Sequence, residues 1–154
     1  MIQRIQSIYL LIATALFSIM LTNPVAQIQL SNNTFLLFYH SKIVSMSTDT
    51  FQPVPTWPVT VLIAVIMLIG LVNIFLYKKR TTQMRLCVFN IMLMFGLVGL
   101  IWFYTRYAVN KYDGIDSVFL WPIVIPFISI ILTYLALKGI QKDDALVKSY
   151  ERLR

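Results

Sequence analysis

"PVTVLIAVIMLIGLVNIFLY" occupies residues 58–77; after the octet "KKRTTQMR" at 78–85 comes "LCVFNIMLMFGLVGLIWFY" at 86–104. Neither apolar stretch contains Asp, Glu, Lys, Arg or His. A helix crossing the hydrocarbon core of a bilayer needs about 20 mostly apolar residues, and each stretch supplies them. The apolar residues run continuously rather than alternating, which excludes a transmembrane β-strand. Two long helices joined by a short charged loop therefore form a helical hairpin within a membrane.

The same signal recurs on both sides. "IQSIYLLIATALFSIMLTN" at 5–23 and "FLWPIVIPFISIILTYLAL" at 119–137 are likewise free of charge. The expected fold is an all-α integral membrane protein: one four-helix transmembrane domain over 1–154, with outer loops 24–57 and 105–118, a cytoplasmic loop 78–85 and a cytoplasmic tail helix 138–154. The chain as a whole is 58% hydrophobic and 12% charged, whereas soluble domains carry roughly a quarter charged residues. The first span has the basic flank Arg4 of a signal peptide, but its apolar region is longer than a signal core. Pro24 also stands where a cleavage site needs a small residue, so retention is expected.

Charge orients the bundle. Four spans place both termini on one side, and Arg4, Lys78, Lys79, Arg80, Arg85, Lys138, Lys142, Lys148, Arg152 and Arg154 then share that side. Only Lys42, Arg106 and Lys111 lie opposite, where Asp49, Asp113 and Asp116 cancel them. The positive-inside rule puts the basic side in the cytoplasm. The net charge of +7 then reads as orientation plus attraction to anionic lipid, with no nucleic acid expected.

Residues 24–57 are too many for a tight turn. "VAQIQLSNNTFLLFYHSKIVSMS" alternates in part and carries a turn-like "SNN", which predicts a small extracytoplasmic β-hairpin. Asn32 with Thr34 matches a glycosylation sequon, a weak pattern. "TRYAVNKYDGID" reads as a solvated loop turning at Asp113 and Gly114. Thr56 reads as a helix cap before Pro58, and Pro126 predicts a bend near the outer end of the fourth helix.

Chemistry-bearing residues are sparse. One Cys87 and one His40 form no metal-ligand pattern, and His40 has no nucleophile constellation beside it, so no catalytic residue, metal or cofactor is expected. Asn73 lies five residues before Lys78 and Asn90 five after Arg85, about 7 Å inside on antiparallel neighbours, which predicts a hydrogen-bonded interhelical polar pair. Gly96 and Gly99 read as a place of close helix approach. In the tail "KDDALVKSYERLR" at 142–154, Asp143 and Asp144 suit the start of a helix and Arg152 and Arg154 its end. Leu146, Val147, Tyr150 and Leu153 would gather on one face as a contact surface, either for a cytoplasmic partner or for the bundle and lipid beneath which the tail lies.

"MIQRIQSIYLL" at the start, "RLCVFN" in the middle and "LALKGIQKDDALVKSYERLR" at the end together resemble the bacterial four-span membrane proteins of domain-of-unknown-function family 4293. The resemblance implies four helices and a bacterial inner-membrane location, and carries no activity or site residue. The expected function is that of a non-catalytic scaffold or accessory subunit of a membrane complex, meeting membrane or cytoplasmic proteins. The alternative is a carrier for an apolar molecule such as a lipid or quinone. A filled interior favours the first and an inner cavity the second.

Overall fold

The structure, a computed structural model, describes residues 3–30, 35–45, 54–76, 79–112 and 114–152. The elements run α1 (Gln3–Thr22), β1 (Ala26–Leu30), β2 (Phe35–Phe38), β3 (Lys42–Ser45), β4 (Val54–Pro55), α2 (Trp57–Phe75), α3 (Arg80–Lys111), β5 (Gly114–Phe119), a 3₁₀ turn (Trp121–Ile123) and α4 (Val124–Arg152). The four helices are each long and apolar enough to cross a membrane. They pack in a ring in which α1 touches α2 and α4, and α3 touches the same two.

The expected hairpin is larger than the sequence suggested. Its strands form an antiparallel sheet in the order β4-β3-β2-β1-β5, so the connection before α2 supplies four strands and the one before α4 adds a fifth. Ala26 lies opposite Phe38 and Ile28 opposite Leu36, while Phe38 lies opposite Ile43. Since side chains alternate along a strand, these five residues share one face, and all are buried. That face closes the end of the bundle, in one apolar cluster with Phe17, Met20, Ile101 and Ala108. Phe38 meets Tyr104 of α3 with ring centroids 6.4 Å apart.

Several local expectations give way. The segment 105–118 is not a solvated loop: α3, 32 residues and so roughly 48 Å long, outreaches a hydrocarbon core of about 30 Å and continues to Lys111. Arg106 lies over the Trp102 ring, and Lys111 over Tyr107 and Tyr112, on these last helical turns. The internal hydrogen bond that Pro126 was expected to delete does not arise. α4 begins at Val124, so Pro126 falls in the first turn, where backbone N–H groups have no intrahelical acceptor to lose. Thr56 precedes α2 without a side-chain cap bond; its hydroxyl donates to the carbonyls of Tyr39 (3.2 Å) and His40 (3.1 Å), tying the helix start to the sheet.

The tail is helical, as its charge pattern suggests, but it is not a separate helix. α4 runs unbroken from the apolar span to Arg152, so Asp143 and Asp144 stand in its interior rather than at an N-terminus.

Candidate functional site

The apolar interior is divided in two. One cluster reaches from the sheet through Ile63, Ile66, Met94 and Leu97; the other, toward the termini, comprises Leu10, Cys87, Ala136, Leu137 and Ile140. Each helix passes between them through a small or polar residue: Thr14 on α1, Gly70 and Asn73 on α2, Asn90 on α3, Thr133 on α4. The two threonines satisfy their hydroxyls on their own helices, Thr14 at the Leu10 carbonyl (2.7 Å) and Thr133 at the Ser129 carbonyl (2.7 Å). Ser129 donates across to the Ala13 carbonyl of α1 at 3.5 Å, a marginal bond.

Asn73 and Asn90 are both buried at the α2–α3 contact, as their equal depth implies, with 1% and 2% of their surface exposed. They do not hydrogen-bond to each other. Asn73 Nδ2 donates to Cys87 Sγ at 3.0 Å, and among the described residues neither amide oxygen, both buried, has a donor. Gln83 Nε2 of α3 donates to the Asn73 backbone carbonyl at 3.1 Å, a second tie between the same helices. Cys87, one turn before Asn90, takes the place expected of the second amide. Gly70 lets α1 approach here: a Cβ at this position would collide with Thr14 Cγ2 and come within 4.0 Å of Asn90 Nδ2.

The charged residues near the termini do structural work. Gln6 Nε2 donates to Asp143 Oδ2 at 2.8 Å, joining α1 to α4, and Arg80 Nη1 donates to the Asp143 carbonyl at 3.2 Å, joining α3 to the same place. Gly139 makes room for the first of these, since an added Cβ would sit 2.9 Å from Gln6 Cγ. Of the basic cluster, Arg80 is thus engaged, Lys79 and Arg85 are exposed, and Lys78 lies outside the described residues. Leu146 and Val147 are exposed on α4. The Tyr150 side chain and all of Leu153 lie outside the described residues, as do the "SNN" turn, the sequon and Asp113.

One further expectation changes. Gly96 and Gly99 are exposed and an added Cβ at either meets nothing within 4 Å, so among the described residues no other helix approaches them. His40 is tied to the start of α2 through its backbone: its carbonyl accepts from Thr56 and, at 2.9 Å, from Thr60, while Nδ1 is buried without a partner among the described residues. Desolvation lowers its pKa from the ordinary 6.5, which favours the neutral ring. Among the described residues no group of three His, Cys, Asp or Glu converges as metal ligands.

Sequence reasoning did not anticipate Gln6, Thr14 and Gln83, nor the contacts that Asp143 makes with α1 and α3. Gln6 and Gln83 gave a usable signal, one being an amide at the start of the uncharged run 5–23 and the other standing three residues before the uncharged run 86–104.

These features define the class: a multi-pass protein with four membrane-length apolar helices, a small sheet across one end of the bundle, and an interior tied together by a few amides. The chain belongs to the family described as "Domain of unknown function (DUF4293)", which matches residues 2–153. No curated protein matches it.

Proposed function

We propose that this protein is a non-catalytic scaffold or accessory subunit of a bacterial inner-membrane complex, with its termini in the cytoplasm and its sheet on the outer face. The observation that carries this reading is the filled interior. Phe17, Met20, Ile63, Ile66, Met94, Leu97 and Ile101 are fully or almost fully buried inside the bundle, while the large Trp102 side chain is exposed on its outside. A centre packed with large side chains suits a rigid element better than a carrier that must admit and release an apolar guest.

The partner this reading calls for is an apolar transmembrane helix of another protein. Small residues let membrane helices approach closely, and Gly96 and Gly99 present such a surface on α3 between the exposed Phe95 and Phe103. The orientation rests on the distribution of Lys and Arg.

Purification in a mild detergent should retain a membrane protein at fixed stoichiometry. Gly96→Leu with Gly99→Leu should release it without lowering the thermal stability of the isolated protein, because neither new side chain meets its own chain. Absence of a stoichiometric partner, or release that occurs only with unfolding, overturns the reading.

A further inference from the structure

A groove of about 390 Å³ runs between α3 and α4 on the outside of the bundle. Its volume is within the roughly 300–1,000 Å³ of small-molecule sites. α3 contributes Arg85, Val88, Phe89 and Met92, spaced at one helical face, and α4 contributes Leu137 and Gln141. The two polar residues lie together at one end. Arg85 directly precedes the uncharged run 86–104, and Gln141 lies one turn beyond the uncharged run ending at 137. From there the groove is apolar, extending seven residues along α3 to Met92, about 10 Å toward the membrane centre.

We propose that this groove binds one anionic phospholipid of the cytoplasmic leaflet, with its phosphate on Arg85 and an acyl chain lying along Val88, Phe89 and Met92. Charge complementarity selects the occupant. A guanidinium offers paired donors matched to phosphate oxygens, and it stands at headgroup depth, where a polar end must be if the tail is to lie in the apolar part. Arg85 is exposed, and among the described residues no carboxylate is bound to it; Asp143 is engaged by Gln6 and Arg80 instead. Two other basic side chains near this level are engaged otherwise, Arg80 at the Asp143 carbonyl and Lys138 over the Tyr134 ring at 5.6 Å. A second transmembrane helix filling the groove would bury Arg85 against hydrocarbon, which the charge disfavours. The inference rests on the proposed orientation of the bundle but not on the scaffold reading, which concerns a different part of α3.

The test is native mass spectrometry of the purified full chain with phosphatidylglycerol and phosphatidylcholine of identical acyl chains. One phosphatidylglycerol should be retained in preference, and Arg85→Gln should cut that preference about fivefold, the effect of one basic residue at an anionic surface. Lys138→Gln should leave it unchanged. Val88→Trp, which keeps the charge but fills the groove, should abolish retention of both lipids at this site. Inorganic phosphate should not displace the lipid, because the tail holds it. Equal losses in Arg85→Gln and Lys138→Gln would mean diffuse surface attraction and overturn the proposal, as would a Val88→Trp protein that binds like the wild type. Thermal stability in lipid-free detergent, measured for every variant, separates lost binding from lost folding.

Discussion

Asn73 on α2 gives its amide proton to the sulfur of Cys87 on α3, at 3.0 Å, and not to Asn90 one turn further along. A buried amide in a membrane has few partners, so the choice has consequences for stability. Cys87→Ala should lower stability by about 0.6–2 kcal/mol, and Cys87→Ser should recover part of the loss. Alanine and serine are both smaller than cysteine, so the difference between them isolates the acceptor. Unfolding in mixed micelles measures it, and equal stability of the two variants would remove the hydrogen bond from the account.

Asn90 supports the same distinction from the other side. Its amide oxygen is buried with no donor, so Asn90→Leu should be neutral or stabilising, whereas a direct Asn73–Asn90 bond requires it to destabilise. The same unfolding assay decides.

Gly70 and Gly96 both lie in apolar helices and should respond oppositely to alanine. Gly70→Ala drives a Cβ into Thr14 Cγ2 and should cost about 1–3 kcal/mol, while Gly96→Ala meets nothing and should be neutral or stabilise by up to about 1 kcal/mol. Thr14→Ser deletes the methyl that collides. The double variant Gly70→Ala, Thr14→Ser should therefore be more stable than Gly70→Ala alone, and failure of that rescue would mean the two helices do not meet there.

These contrasts mark how far the sequence could be read. The four spans were legible because uncharged apolar runs of about 20 residues seldom occur outside membrane helices, and Ala26, Ile28, Leu36 and Phe38 betrayed the sheet through their alternation. The pairing of β5 with β1 was not legible: it joins residues nearly ninety apart, and nothing local in "GIDSVF" announces a partner. The start of α4 was hidden because Phe119, Leu120 and Trp121 are as apolar as the helix that follows, so the strand end and 3₁₀ turn merge with the span. Depth along α2 and α3 follows from counting residues; which of Asn90 and Cys87 faces Asn73 depends on the helices' relative rotation, which counting does not supply.

His40 predicts a pH response. Burial lowers its folded-state pKa below the ordinary 6.5, so the unfolded chain binds a proton more readily than the folded one. The contribution of the neutral ring is intact above about pH 6.5 and is lost progressively as pH falls below it. The melting temperature of the wild type should therefore drop between pH 7.5 and 5.5 by more than that of His40→Gln. Parallel curves would show that the ring titrates alike in both states.

The central claim is that the sheet and the charged end of α4 lie on opposite sides of a membrane, with the termini inside. Ile115 of β5 and Ala145 of α4 are both exposed, which makes them suitable single-cysteine reporters in a Cys87→Ala background. The decisive measurement is labelling of intact bacterial cells, their outer layer made permeable where one is present, with a membrane-impermeant thiol reagent. Ile115→Cys should react at once, and Ala145→Cys only after the inner membrane is opened. Reaction of both in intact cells, or of Ala145→Cys alone, would contradict the account.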